Sequence, residues 1–199
     1  NYESRRSAVY ARNGIVAASH PLAAQIGLDV LQHGGNAADA AVATAAALAV
    51  VEPTSTGVGG DCFALFFDAS KKKVSALNGS GRAPNNLNLE VLAADGFSKL
   101  LPSHHVHAVT VPGTVAGWAD TLKQFGTMDL ADVLTGAIAL AEDGSPIAPV
   151  IARLWANEEE KIRNASSNGE ELLVDGRAPR EGELWQNPGL ASVLREIAD

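Results

Sequence analysis

The chain has 199 residues, 15 Lys+Arg against 23 Asp+Glu, and a formal net charge of −8. Its 46% hydrophobic content excludes a disordered chain, and one Cys excludes an internal disulfide. The acidic balance argues against a nucleic-acid partner, which calls for a basic face.

The opening stretch Asn1-Tyr2-Glu3-Ser4-Arg5-Arg6 is mixed, not the apolar core of a targeting signal. The first residue is not Met, so a processed or trimmed product is expected. The longest apolar run, 40–51, is mostly alanine and too short to span a bilayer. The chain therefore reads as soluble, with no membrane span. At roughly 100–200 residues per domain, it is one domain or a large piece of one.

Residues 14–19 read as a short strand. Pro21 suits the first turn of a helix, and Leu22, Ile26, Val30 and Leu31 recur at helical spacing. Gly34 and Gly35 end that helix, and Asn36 caps a second one over 37–51. Its alanines predict burial. Residues 62–67 form a continuous apolar run, expected to be a strand buried on both faces. Three lysines separate it from 74–77, which predicts a hairpin. The middle reads as helix-poor up to a short strand at 109–111. Helices follow over 114–125, with Val115, Trp118, Ala119 and Leu122 inward, and over 130–142, capped by Asp129. Another spans 149–163, with Ile151, Leu154 and Trp155 inward. Residues 166–169 read as a loop, and a last helix pattern from Pro188 still runs at Asp199. Unterminated, that pattern predicts a larger natural protein. The fold class is α/β or α+β with buried central strands.

Few residues stand out for chemistry. Cys62 opens an apolar strand and reads as a buried, inert thiol. Ser80 lies between glycines, but Asn78 breaks the Gly-x-Ser-x-Gly elbow of a hydrolase. His104, His105 and His107 cluster without a Cys or carboxylate close in sequence, so a solvated loop outweighs a zinc site. His20 and His33 are isolated. Gly57-Val58-Gly59-Gly60-Asp61 precedes a strand, whereas a phosphate loop follows one. It is either a tight turn or a backbone wall against a ligand. Arg82, in a glycine-rich loop beside Pro84, is either a surface arginine or a two-pronged grip on a carboxylate.

Four motifs in order form a pattern: Gly34-Gly35-Asn36-Ala37-Ala38-Asp39-Ala40-Ala41; Gly57-Val58-Gly59-Gly60-Asp61; Ala76-Leu77-Asn78-Gly79-Ser80-Gly81-Arg82-Ala83-Pro84; and Val111-Pro112-Gly113. Residues 137–146, ending in Gly-x-Pro, and Arg180-Glu181-Gly182-Glu183 agree with it. Together they resemble the γ-glutamyltranspeptidase (glutathione hydrolase) family.

The resemblance implies an α+β N-terminal-nucleophile hydrolase, a four-layer αββα sandwich. Residues 1–199 are then a single partial domain, the front part of the large subunit. The resemblance implies a partner: a small subunit from the same precursor, carrying the nucleophilic Thr. No catalytic residue is assigned within this chain, and no metal or cofactor is implied. The family's carboxylate-binding Arg stands in an Arg-Glu-x-Ala-Pro pattern. Aligned on Ala83 and Pro84, that position is Ser80 here, and Arg82 follows it. The substrate-binding candidates are therefore Arg82 and Ser80. The Gly-Ser-Gly-Arg-Ala-Pro version resembles a divergent branch with acylase-like and oxamate-amidohydrolase-like members. The activity the resemblance implies is that of a γ-glutamyltransferase or glutathione hydrolase-like enzyme, cleaving a small carboxylate-bearing amide with transfer to water or an amine. The alternatives are an acylase or oxamate-type amidohydrolase of the same family and a non-catalytic binding domain of the same fold. A compartment outside the cytoplasmic membrane and one inside the cell both fit a single Cys.

Overall fold

The computed structural model describes residues 7–102, 105–165 and 168–199. The opening stretch 1–6, Ser103, His104, Ser166 and Ser167 lie outside the described residues.

Helix α1 (Pro21–Gln32) starts where His20 Nδ1 accepts the Leu22 amide at 3.2 Å. It ends at Gly34, whose φ of +97° suits a residue without a Cβ. Helix α2 (Ala37–Val51) opens with a capping box. The Asn36 side chain accepts the Ala38 and Asp39 amides, and Asp39 accepts the Asn36 amide. As its composition predicts, α2 is buried along most of its length. Small side chains permit the close crossing: a Cβ on Gly27 would stand 2.1 Å from Thr44 Oγ1.

Residues 14–18 form no strand, though Val16 and Ala18 are half-buried. Among the described residues no neighbouring strand hydrogen-bonds them, and pairing is what defines a sheet.

Strands β1 (Cys62–Asp68) and β2 (Lys73–Gly79) form the expected antiparallel hairpin, from Cys62 opposite Gly79 to Asp68 opposite Lys73. Burial on both faces is not observed. Phe63, Leu65 and Phe67 are 65%, 80% and 61% exposed, while Cys62, Ala64 and Phe66 are half-buried. The hairpin is a two-stranded sheet with one covered face. Helix α4 (Thr114–Phe125) covers it: the Phe66 and Phe125 rings stack at 4.4 Å.

The middle is less irregular than expected. Helix α3 (Leu89–Ala94) starts at Asn88, whose side chain accepts the Val91 amide at 2.9 Å. A 3-10 turn spans Val106–Ala108, and the expected strand at 109–111 is reduced to one bridge, Val111 to Arg82. A six-residue helix is too short to show a hydrophobic period, which is why the sequence did not announce it.

Trp118 and Leu122 of α4 are buried, Val115 is half-buried, and Ala119 is exposed, contrary to expectation. Helix α5 (Leu130–Glu142) follows; Asp129 holds the cap position without a side-chain hydrogen bond. Strand β3 (Ser145–Pro146) pairs with β4 (Leu184–Trp185), flanking helix α6 (Pro149–Ala165). Ile151 and Trp155 of α6 point inward, but Leu154 is 37% exposed. A second 3-10 turn, Gly169–Leu172, takes up the end of the expected loop, and its Leu172 carbonyl accepts Trp155 Nε1–H at 2.9 Å. Helix α7 (Pro188–Ala198) packs on α5, and Arg195 forks onto Glu142. The core lies between α1, α2, α4, α5, α6 and α7.

Candidate substrate site

The three glycine-rich motifs of the sequence meet at the N-terminus of α4. The Gly60 carbonyl accepts the amides of Gly113 and Thr114, both at 3.0 Å. Thr114 Oγ1 donates to the Asp61 carbonyl at 3.0 Å. A Cβ on Gly113 would stand 2.1 Å from the Gly79 carbonyl oxygen and 2.7 Å from the Gly81 nitrogen. Gly81 has φ +73°, and a Cβ there would stand 2.2 Å from the Val111 carbonyl oxygen. These glycines let one backbone lie directly on another.

Arg82 follows this knot, with its carbonyl accepting the Val111 amide at 2.9 Å. Its side chain is exposed and forms no ion pair among the described residues. Ser80 is half-buried; its amide donates to Asn78 Oδ1 at 3.1 Å, and its hydroxyl donates to the Gly81 carbonyl at 3.3 Å. That hydroxyl is engaged by its own loop rather than by a base.

Beside the knot lies an open cavity of ≈700 Å³. Residues 59–63 form one wall, Ala108, Val109 and Thr110 another, and Trp118 contributes as well. Arg82 and Ser80 do not line it; Arg82 connects to it through Val111 of the 108–114 segment. Cys62 does line it, half-buried, and burial pushes its thiol above the usual range.

Of the histidine cluster, His104 lies outside the described residues. His105 Nδ1 accepts the His107 amide at 3.2 Å, and His107 Nε2 lies 2.6 Å from Asp95 Oδ2. Asp95 escaped sequence reasoning, because twelve residues separate it from His107 and no spacing rule links them. Among the described residues, no three His, Cys, Asp or Glu side chains are grouped to hold a metal ion. His20 is buried, which pushes its imidazole below the ordinary value, against an opposing pull from Glu52.

The Arg-x-Gly-Glu turn is a closed unit. Gly182 has φ +77°, and the Arg180 amide donates to Glu183 Oε2 at 2.7 Å. The guanidinium on Glu183 is that of Arg177, bidentate at 2.9 and 2.7 Å, not that of Arg180.

A family model described as gamma-glutamyltranspeptidase matches residues 23–199. The chain belongs to the γ-glutamyltranspeptidase family. It is 34% identical over 200 residues to a glutathione hydrolase proenzyme of Bacillus subtilis, covering 99% of the chain and 34% of the relative. It is 37% identical to an oxamate amidohydrolase proenzyme of Klebsiella pneumoniae, covering 94% and 36%. The crystal structure of a cephalosporin acylase from Bacillus halodurans superimposes with a TM-score of 0.90 at 47% identity, covering 99% and 38%. The chain thus spans about a third of the curated relatives it matches. Its helices and hairpin are part of the α+β N-terminal-nucleophile sandwich expected from the motifs. No helix among the described residues is long and apolar enough to cross a membrane.

Proposed function

We propose that the whole protein is an amide-cleaving N-terminal-nucleophile enzyme in which this segment supplies the substrate's carboxylate grip. The observation that carries the reading is the match of nearly the whole chain to proenzymes that hydrolyse amides. A Thr exposed by self-cleavage, on a second subunit from the same precursor, attacks the amide carbonyl through its hydroxyl oxygen. Its own amino group takes the hydroxyl proton and returns it to the departing amine. Water or an acceptor amine then releases the acyl group. Backbone N–H groups facing the carbonyl oxygen stabilise the tetrahedral state.

Arg82 is the group that holds the substrate carboxylate. An exposed guanidinium with no carboxylate partner among the described residues has its donors available for a planar anion. In a chain of net charge −8, attraction for an acid has to be local. Ser80, half-buried at the head of this loop, is the second candidate; to donate to the carboxylate its hydroxyl turns away from the Gly81 carbonyl.

Ser80 at the position of the family's usual arginine favours the acylase or oxamate-type branch over a strict γ-glutamyl specificity. The similarity to an oxamate amidohydrolase and a cephalosporin acylase supports the same choice.

The full-length protein, run under denaturing conditions and weighed by mass spectrometry, should appear as two fragments. It should release amine from a short dicarboxylic monoamide faster than from a γ-glutamyl anilide. A single uncleaved chain that releases amine from neither would overturn the reading. The reverse preference would restore γ-glutamyl specificity.

A further inference from the structure

Residues 85–112 carry no buried residue among those described. Helix α3 has six residues and none of them is buried. Neither helix nucleation nor core packing holds such a segment in place. Yet its far end, Ala108 to Thr110, walls the ≈700 Å³ cavity, and Val111 is bonded to the Arg82 carbonyl. A wall without a core needs another anchor.

The structure provides one. Asp95 stands at the C-cap of α3, and its Oδ2 lies 2.6 Å from His107 Nε2 in the 3-10 turn. At that separation an imidazole Nε2–H donates to the carboxylate oxygen. The His107 side chain is 22% exposed and that of Asp95 51%, so the contact has one sheltered partner and one facing water. The His105 ring lies 4.9 Å from the His107 ring, and Phe97 meets His105 edge-on at 4.6 Å. The turn is closed by Ala108 N–H to the His105 carbonyl at 2.8 Å and Val109 N–H to the Val106 carbonyl at 3.1 Å. Only three residues then lie between His107 and Val111.

We infer that the Asp95–His107 contact is a clasp that positions the 108–111 segment and, through Val111, the Arg82 loop. His107 and Asp95 are positioning residues, acting on substrate affinity rather than on the bond-breaking step. The inference rests on Arg82 being the carboxylate-binding group.

The test uses the full-length processed protein. His107→Ala should raise KM for a carboxylate-bearing amide about tenfold with kcat within about twofold of the parent. His107→Gln, which keeps an N–H for Asp95, should restore most of that affinity. For a substrate whose carboxylate is replaced by a neutral amide, His107→Ala should leave KM unchanged. In an Arg82→Ala background it should add nothing further. Hydrogen exchange supplies the independent readout: His107→Ala should speed exchange of the Val111 amide about tenfold while Gly117, inside α4, stays as it was. Unchanged Val111 exchange overturns the clasp. Faster Val111 exchange with an Arg82→Ala variant of parental KM overturns the link to substrate, and assigns the failure to Arg82 rather than to the clasp. A loss that Gln does not rescue, equal for charged and neutral substrates, overturns it as a general structural defect.

Discussion

The Asp39 carboxylate accepts the Thr127 hydroxyl at 2.7 Å, though 88 residues separate the two. The Thr127 and Met128 amides add further bonds, and the Asn36 amide closes the capping box at 2.7 Å. Asp39 is fully buried, and burial alone would push its carboxyl up. The hydrogen bonds outweigh burial and hold it below the ordinary carboxylate value. This one side chain ties the start of α2 to the α4–α5 connection.

Asp39→Ala should therefore destabilise the protein by about 3 kcal/mol, since several buried donors lose their acceptor at once. Because its folded value lies below the unfolded one, the stabilisation is complete above the ordinary carboxylate range. It disappears as pH falls through the folded value. Urea unfolding as a function of pH checks this: the variant should show a flatter acid limb than the parent.

Glycines in the loops should not be equivalent. Gly113→Ala drives a Cβ to 2.1 Å from the Gly79 carbonyl oxygen and should cost about 3 kcal/mol or more, or prevent folding. Gly59→Ala meets nothing within 4 Å and should change stability by less than about 0.5 kcal/mol. Melting temperatures of the two variants separate these outcomes.

Arg82→Lys keeps the charge but loses the planar fork. It should raise KM for a carboxylate-bearing substrate about tenfold, with kcat little changed. Steady-state kinetics on the processed enzyme measures this directly. An equal fall in kcat would place Arg82 at the reacting bond instead.

Glu183 is held at about 2, first by the Arg177 side chain and then by the Arg180 amide. A depressed folded value means that the contribution is present above the ordinary carboxylate range and lost as pH falls toward 2. Glu183→Gln should remove that part of the acid dependence and leave the neutral-pH slope unchanged. Thermal melts between pH 2 and pH 5 would show it.

The bare sheet face predicts behaviour of the isolated chain. Phe63, Leu65, Phe67 and Val74 expose large apolar side chains on one side of the hairpin. The 199-residue chain alone should self-associate and bind an apolar dye, and Leu65→Lys should reduce both. In the full-length protein the same change should destabilise by about 2 kcal/mol or more if that face is covered there. Light scattering of the chain and melts of the full-length protein give the two readings.

The local sequence was enough for most helices, because their signals are short-range. Asn36 and Asp39 three residues apart, Pro21 and Pro188 at first turns, and Gly34 past an end all act within one turn. The glycine motifs were likewise legible, and their order identified the family. What the sequence could not show is which distant groups meet. Cys62 to Phe67 reads the same whether one face or two is covered, since coverage belongs to neighbouring elements. Thr127 for Asp39, Asp95 for His107 and Arg177 for Glu183 follow no period, because such pairings depend on how whole elements pack. Length, charge and motif order by themselves determined an acidic piece of a γ-glutamyltranspeptidase-family fold. Only the tertiary structure decided that three glycine loops close on one another beneath Arg82. That closure requires backbones 30 and more residues apart to touch, so closely that a Cβ on Gly113 would stand 2.1 Å from the Gly79 carbonyl oxygen.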